Sequence, residues 1–297
     1  MLYFSPNHIS IFSMNGQTIS ALRPRIEEIM GPRNVAFVEN PNQDLGISTK
    51  ERLSAWSSLR NVTGNALYAG RLLLRRNGVG TPPHPSFSTS PVRDSNRAHL
   101  LVPGYASGNG SFRPLARAVC GVHALPGYMS PRFMEPLTAD EAIQHVQGAI
   151  GESSADEINL ICHSMGGLIA LVACDELDET TRDRIGRIVT LGTPWQGSVV
   201  AQLFARIKTR DKALRELSPG SDLLERRVGR VRRSTKRKVV SVTSTADKVA
   251  RWRECILREA GLNVLLRNGQ AVTHADLLND RSVAAMVSAI LEDAPQG

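Results

Sequence analysis

The 297-residue sequence has few cysteines and no long hydrophobic run, and both absences exclude classes of protein. Its four cysteines contain no Cys-x-x-Cys pair and no spacing with histidine that is typical of a metal site. We therefore expect buried, reduced thiols at these positions. No apolar run approaches the roughly 18 residues that a membrane-spanning helix requires. The cysteines are Cys120, Cys162, Cys174 and Cys255.

Residues 1–17 lack lysine and arginine, and their apolar stretch at residues 8–14 is short and interrupted by serine. A secretory signal peptide has a basic beginning and a longer apolar core. No signal peptide is therefore predicted, and a cytoplasmic location is the expectation. A chain trimmed at its beginning would look the same.

Positive charge is concentrated in one segment of a chain whose net charge is +8. Residues 226–238 contain eight lysines or arginines and no acid. Such a run favours peripheral contact with an anionic membrane. Nucleic acid is not the expected partner, because no aromatic side chains stand between the basic residues to stack on bases. A solvated loop, or arginines paired with acids elsewhere in the chain, is the simpler alternative. The sequence indicates no oligomeric state.

Composition divides the chain into three parts. Residues 1–76 are predicted to be a largely helical N-terminal extension, and residues 77–96 are a linker rich in proline, glycine and serine. Across residues 97–297 predicted strands alternate with helices, which indicates an α/β fold with a mainly parallel sheet and helices on both faces. The predicted strands are Ala98–Val102, Val122–Leu125, Ile158–Cys162, Ile188–Leu191, Lys238–Thr243 and Asn263–Leu266.

Capping and periodicity also predict the helices of this part. Thr138 with Glu141 three residues later forms the pattern of a capping box, which begins a helix. The predicted helices are Ser111–Cys120, Thr138–Ile150, Ser164–Cys174 and Arg281–Leu291.

Ser164 lies where a predicted strand runs directly into a predicted helix, within the sequence Ile-Cys-His-Ser-Met-Gly-Gly. A serine on such a sharp turn is exposed above the carboxyl edge of the sheet, and the helix N-terminus favours developing negative charge. The crowded backbone requires small residues two positions before and after the serine. Gly166 meets this requirement, and Cys162 stands where the usual pattern has glycine. We predict that Ser164 is a nucleophile; a structural serine at a helix N-cap is the alternative.

Tyr105 and Met165 are predicted to supply backbone N–H groups to an oxyanion. Residues 101–105, Leu-Val-Pro-Gly-Tyr, end a strong strand and lead into a glycine-rich loop. Acyl transfer requires at least two donors around the oxyanion. The loop residue Tyr105 and Met165, the residue after Ser164, are suited by position. A plain strand-to-helix turn is the alternative for residues 101–105.

His274 and Asp247 are predicted to be the base and the acid that activate Ser164. Of the seven histidines only His274 lies downstream of the serine, and Asp247 follows the predicted strand between the two. Serine, acid and histidine in this order along the chain form one of the known arrangements of a catalytic triad. Asp276 and Asp280 are alternative acids, but they lie too near His274 in sequence to come from a separate strand.

Taken together, these motifs resemble lipases and esterases of the α/β-hydrolase superfamily, especially the compact bacterial lipases. The resemblance covers residues 97–291. Residues 162–167, Cys-His-Ser-Met-Gly-Gly, are similar to the Gly-His-Ser-Met-Gly-Gly of that family, and residues 191–198 resemble its Leu-Gly-Thr-Pro-x-x-Gly stretch. Residues 244–247 and 274–278 fit its acid and histidine segments.

The resemblance implies an α/β-hydrolase fold and a serine hydrolase that cleaves carboxylic esters by two-step acyl transfer, with no cofactor and no metal. The sequence departs from the family at Pro103, at Cys162 and throughout residues 1–95. In this superfamily an excursion such as residues 196–238 often forms a cap over the site; packing of its apolar residues on the sheet is the alternative. An acyltransferase or thioesterase on the same triad, and a non-catalytic binding protein with this fold, remain open alternatives.

Overall fold

The computed structural model describes most of the residues that are predicted to form the sheet. The predicted linker lies outside the described residues apart from residue 96, as do most of the N-terminal extension and most of the predicted helix Ser111–Cys120. The described residues are 21–45, 96–105, 112, 115–116, 119, 122–124, 137–207, 211–267 and 272–292.

Seven strands among the described residues form one sheet in the order β1-β7-β6-β5-β4-β2-β3. Six of them run parallel, and β1 pairs antiparallel with β7 at one edge. This topology confirms the predicted α/β class and all six predicted strands. The strands are β1 (Val35–Phe37), β2 (Arg97–Val102), β3 (Val122–Ala124), β4 (Glu157–His163), β5 (Ile185–Leu191), β6 (Val239–Ser244) and β7 (Leu262–Leu266).

Eight α-helices of five or more residues lie in the described parts of the chain, and the described residues 115–116 are also helical. The second begins with the predicted capping box: the Thr138 hydroxyl accepts from the Glu141 amide at 3.3 Å, and the Glu141 carboxylate accepts from the Thr138 amide at 2.8 Å. None of the described helices combines the length and apolarity needed to cross a bilayer. The helices are α1 (21–30), α2 (Ala139–Glu152), α3 (Met165–Asp175), α4 (Glu179–Asp183), α5 (Val199–Ile207), α6 (Lys212–Glu216), α7 (Arg233–Arg237) and α8 (Arg281–Glu292).

Both faces of the sheet are buried, as the near-continuous apolar character of its strands requires. In β4, Leu160 packs in the core that contains α2 and α3, whereas its neighbour Ile161 packs in the core that contains α1 and α8. Helix α3 is buried through Cys174, with every residue from Met165 onward inaccessible or nearly so. The helix behind Ser164 is therefore a fixed element of the core.

The N-terminal segment that the structure describes belongs to this sheet. Leu22 and Ile26 of α1 are fully buried in the same core as α8, and Val35 of β1 stands opposite Leu266 of β7. The helix agrees with the sequence analysis, but β1 was not predicted, so these residues are not purely helical. With three residues, β1 is too short to show an alternating pattern. The outer limits of the three predicted parts of the chain stay predictions.

Replacement of Ile26 with alanine tests whether α1 is part of the folded core. The change removes a fully buried side chain, so the free energy of unfolding should fall by about 2–5 kcal/mol, measured by denaturant titration. Glu28→Ala, at an exposed position of the same helix, is the matched control and should change it by less than about 0.5 kcal/mol. Equal stability of the two variants would contradict this assignment.

Candidate active site

Ser164 connects β4 to α3 with a backbone that L-residues rarely adopt. Its φ is 52° and its ψ is −126°. Such a conformation costs on the order of 1–3 kcal/mol and persists only where the surroundings enforce it. Two hydrogen bonds do so here: the Ser164 amide donates to the Leu191 carbonyl at 2.9 Å, and the Thr193 hydroxyl donates to the Ser164 carbonyl at 2.8 Å. The end of β5 therefore holds the serine turn in place.

The glycines around this turn permit close backbone contact. A Cβ at Gly166 would overlap the carbonyl oxygen of Val102, and a Cβ at Gly104 would lie 2.8 Å from the Ser164 Cβ. The ends of β2 and α3 thus meet at the serine. Cys162, two residues before it, is fully buried, so a cysteine fits where the family pattern has glycine.

The two predicted oxyanion donors belong to the two segments next to Ser164, the loop after β2 and the start of α3. Tyr105 follows Gly104, where a Cβ would lie 2.8 Å from the Ser164 Cβ, and Met165 is the first residue of α3. Gly108 and Gly110 of the glycine-rich loop lie outside the described residues. Gly104 and Met165 thus adjoin the serine turn and Tyr105 follows Gly104, and the role of Tyr105 and Met165 as donors stays a prediction.

Asp247 and His274 meet in a buried hydrogen bond. His274 Nδ1 lies 2.7 Å from Asp247 Oδ2, and both side chains are almost completely inaccessible. The other oxygen, Asp247 Oδ1, accepts from the amides of Val249 and Ala250, each at 2.9 Å. Because a carboxylate only accepts, Nδ1 carries the proton of neutral His274, and Nε2 is left as the basic nitrogen.

Gly192 leaves room for this pair. Its φ is +64°, and a Cβ there would lie 3.0 Å from each of Asp247 Oδ2, His274 Nδ1 and Leu277 Cδ1. A side chain at the end of β5 would thus contact both partners of the hydrogen bond while straining the backbone. The glycine is a structural requirement of the Asp247–His274 pair.

The two alternative acids are engaged elsewhere. Asp276 Oδ2 accepts from the Thr273 hydroxyl at 2.6 Å and from the Thr273 amide at 3.1 Å. Asp280 Oδ1 accepts from the amides of Ser282 and Val283 at 2.8 and 3.1 Å. Both carboxylates thus cap the turns on which they lie, and the structure pairs Asp247 with His274.

His163 is a buried part of the site to which the sequence analysis gave no role. Its Nε2 donates to the His274 carbonyl at 3.0 Å, and the two rings are 4.5 Å apart. Burial, and then the neighbouring His274, lower the pKa of His163 well below its usual value. His163 therefore stays neutral and anchors the backbone of His274. The only signal in the sequence was its position next to Ser164.

The described cysteines match the expectation of reduced thiols. Cys162, Cys174 and Cys255 are free and buried. Burial raises the pKa of each thiol, that of Cys174 to about 12. Because the thiolate is the reactive form, these residues are inert packing groups. Cys120 lies outside the described residues.

Residues 134–255, less than half of the chain, match the family model described as PGAP1-like alpha/beta domain. The matched segment includes Ser164 and Asp247 and ends before His274. No curated protein matches the sequence.

Three solved structures illustrate the similarity to known folds. A lipase-esterase related protein from Clostridium acetobutylicum is 16% identical, with 68% of this chain and 97% of that chain covered and a TM-score of 0.47. Lipase BlEst2 from Bacillus licheniformis is 15% identical, with 67% and 91% covered and a TM-score of 0.43. Phospholipase PlaB from Legionella pneumophila is 16% identical, with 50% covered and a TM-score of 0.39, and the aligned region spans 39% of PlaB.

The sequence identities and TM-scores of these structures are too low to support an activity. The fold is therefore assigned from the topology. A parallel sheet with helices on both faces places a serine after β4, an acid after β6 and a histidine after β7. This order of elements and residues is that of the α/β-hydrolase fold. The chain has that fold.

The lowered pKa of His163 predicts a pH dependence of stability. In the unfolded chain this histidine takes up a proton near pH 6.5, whereas in the folded protein it does so only at lower pH. Its contribution to stability is therefore complete above pH 6.5 and is lost as the pH falls below that value, by at most about 1.4 kcal/mol per pH unit.

His163→Gln removes the titration and keeps a donor toward the His274 carbonyl, so its stability should fall less than that of the wild type between pH 7.5 and 5. Denaturant titrations at several pH values measure this difference. His145→Gln, at an exposed position of α2, is the matched control for loss of a histidine. A wild-type pH dependence in His163→Gln would show that this group does not titrate as proposed.

Proposed function

We propose that the protein is a serine hydrolase that cleaves carboxylic esters through a covalent acyl-enzyme on Ser164. The observation that carries the proposal is the buried Asp247–His274 hydrogen bond of 2.7 Å, beside a serine held in a strained strand-to-helix turn. Both features carry a cost to the fold: one buries a carboxylate and the other strains the backbone. Both suit a serine nucleophile, because the pair orients the base and the turn exposes the hydroxyl.

In the first step His274 Nε2 takes the proton of the Ser164 hydroxyl while the serine oxygen attacks the ester carbonyl. Asp247 stabilises the imidazolium that forms. The tetrahedral intermediate then breaks its bond to the alcohol oxygen, which leaves with the proton from His274. In the second step a water gives a proton to His274 and attacks the acyl group. The acid is released, and Ser164 recovers its proton.

Charge on the carbonyl oxygen is stabilised by the N–H groups of Tyr105 and Met165. Met165 also begins α3, whose N-terminus carries the positive end of the helix dipole. Loss of one such donor costs about 10²- to 10³-fold in rate in other enzymes. The carbonyl oxygen of the substrate is thus stabilised both by the loop after β2 and by the N-terminus of α3.

An acyltransferase or a thioesterase would use the same residues, and the products distinguish them from an esterase. With a p-nitrophenyl ester as acyl donor, an esterase releases the free acid when an alcohol or thiol is added, whereas an acyltransferase forms a new ester or thioester. A non-catalytic binding protein would release no p-nitrophenol in any of these reactions.

A panel of p-nitrophenyl esters of increasing chain length tests the catalytic assignment. Ser164→Ala and His274→Ala should each lower kcat by on the order of 10³- to 10⁶-fold, and Asp247→Asn by about 10⁴-fold, because the three groups act as a unit. A fluorophosphonate should label Ser164. Asp280→Asn, which keeps its capping oxygen, is the matched control and should stay within a few-fold of wild type.

Full activity in Ser164→Ala, or labelling of another serine, would contradict the nucleophile. If Asp276→Asn abolished turnover while Asp247→Asn did not, the acid would be Asp276.

We further propose that the enzyme contacts anionic membranes, with α5 as the inserting element. The basic run 226–238, which the sequence analysis favoured for this contact, is largely engaged within the chain. Arg227 pairs with Asp140 and with Glu176, the latter at 2.7 Å. Other pairs among the described residues are Arg226–Asp222, Arg232–Asp175, Arg233–Glu259 and Lys236–Glu259.

Helix α5 exposes large apolar side chains. Val199, Leu203 and Phe204 are 43, 59 and 51% exposed, whereas Ala201 is buried against the core. The helix contains no acid, and Arg206 at its end is exposed. Apolar side chains beside positive charge are suited to the boundary of an anionic bilayer.

Co-sedimentation with vesicles of phosphatidylcholine containing increasing phosphatidylserine tests this contact. Binding should rise with the anionic fraction and fall with salt. Leu203→Gln with Phe204→Gln should weaken it at least tenfold. Arg230→Gln with Arg237→Gln, two exposed positions of the basic run, should change it less. Equal binding of the α5 variant and the wild type, or no binding at all, would remove the proposal.

A further inference from the structure

The side chain of Tyr105 is tied to a distant segment of the chain. Its hydroxyl donates to Asp211 Oδ2 at 2.5 Å across 106 positions of sequence. Asp211 lies at the N-terminus of α6, within the excursion 196–238, and its other oxygen accepts from the Leu214 amide at 3.2 Å. The carboxylate is thus held from one side by a helix and from the other by the tyrosine.

The same tyrosine belongs to the loop that reaches the nucleophile. Gly104, which precedes it, lies so close to Ser164 that a Cβ would stand 2.8 Å from the serine Cβ. Fixing the far end of the Tyr105 side chain limits how its own peptide group can rotate. A donor aimed at a developing charge is effective only if its direction is set before the reaction.

The bond between the two groups persists over a wide pH range. Burial, and then the hydrogen bond to Asp211, raise the pKa of Tyr105 well above its usual value. The phenol therefore stays protonated and keeps its hydrogen for the carboxylate, even in alkaline solution.

Helix α6 is itself fixed in the core. Ala213 and Leu214 are buried and pack in the cluster that contains α2 and α3, and Glu216 accepts from the Ala139 amide at the start of α2 at 3.0 Å. Part of the excursion 196–238 thus packs on the core. This agrees with the alternative in which its apolar residues pack on the sheet and do not form a cap. Asp211 is therefore a rigid anchor for the tyrosine.

We propose that Asp211 is a positioning residue of the oxyanion site, which holds the Tyr105 peptide N–H toward the substrate through the tyrosine side chain. The inference rests on the proposed function and adds a residue to it. Asp211 does not touch the reacting atoms; it acts through Tyr105. Its loss should therefore slow the steps in which negative charge develops on oxygen and should leave ground-state binding almost unchanged.

A double-mutant cycle of Tyr105→Phe and Asp211→Asn tests this role. Asparagine keeps an oxygen for the Leu214 amide, so α6 retains its cap. Each single variant should lower kcat about tenfold with KM within about threefold, and the double variant should be no worse than the poorer single one, because both remove one interaction. The rate of fluorophosphonate labelling of Ser164 should fall in parallel, since the phosphonyl oxygen takes the place of the oxyanion.

The melting temperature of each variant shows whether a loss of rate comes from lost positioning of Tyr105 or from lost stability of the fold. Asp178→Asn, the same substitution at the N-cap of α4, is the matched control and should keep the wild-type kcat and labelling rate. Wild-type labelling in Tyr105→Phe and Asp211→Asn would overturn the inference and leave the nucleophile standing. Strictly multiplicative losses of kcat, or losses confined to KM, would also overturn it. If the wild type is not labelled at Ser164, the proposed function fails, and this inference fails with it.

Discussion

The hydrogen bond between His274 and Asp247 is the constraint on which the rest of the site depends. A carboxylate without access to water is tolerated only when its oxygens are hydrogen-bonded, and the amides of Val249 and Ala250 complete the set here. The imidazole can approach only because Gly192, the residue after β5, has no side chain in the space that it occupies. One buried interaction thus constrains both the residue that follows β5 and the turn that follows β6.

The parallel sheet brings the residues of the site together at a small cost in free energy. Parallel strands end at the same edge, so the residues after β2, β4, β5, β6 and β7 converge although they lie far apart in sequence. The strain at Ser164, on the order of 1–3 kcal/mol, is small against the burial of α3, where a single fully buried Leu168 or Ile169 contributes about 1.5–3 kcal/mol. The apolar helix behind the serine thereby stabilises an arrangement that is locally unfavourable.

The sequence predicts those features that depend on short-range patterns. The apolar run before Ser164, the glycine after it and the helix that follows indicate a strand-to-helix turn, and the structure has one. Thr138 and Glu141 predict the start of α2 to the residue. Strand limits are less accurate: β5 begins at Ile185, three residues earlier than predicted, because Gly186 and Arg187 interrupt its apolar run.

Features that depend on partners distant in sequence leave no local pattern. The three residues of β1 take their conformation from pairing with β7, and the charges of the basic run are balanced by acids on other elements, such as Glu176 for Arg227. The Tyr105–Asp211 bond joins positions 106 residues apart. In each case one partner has an ordinary sequence context, so no period or spacing marks it. The pairing of β1 with β7 and the packing of α6 in the core bring such partners together only once the chain has folded.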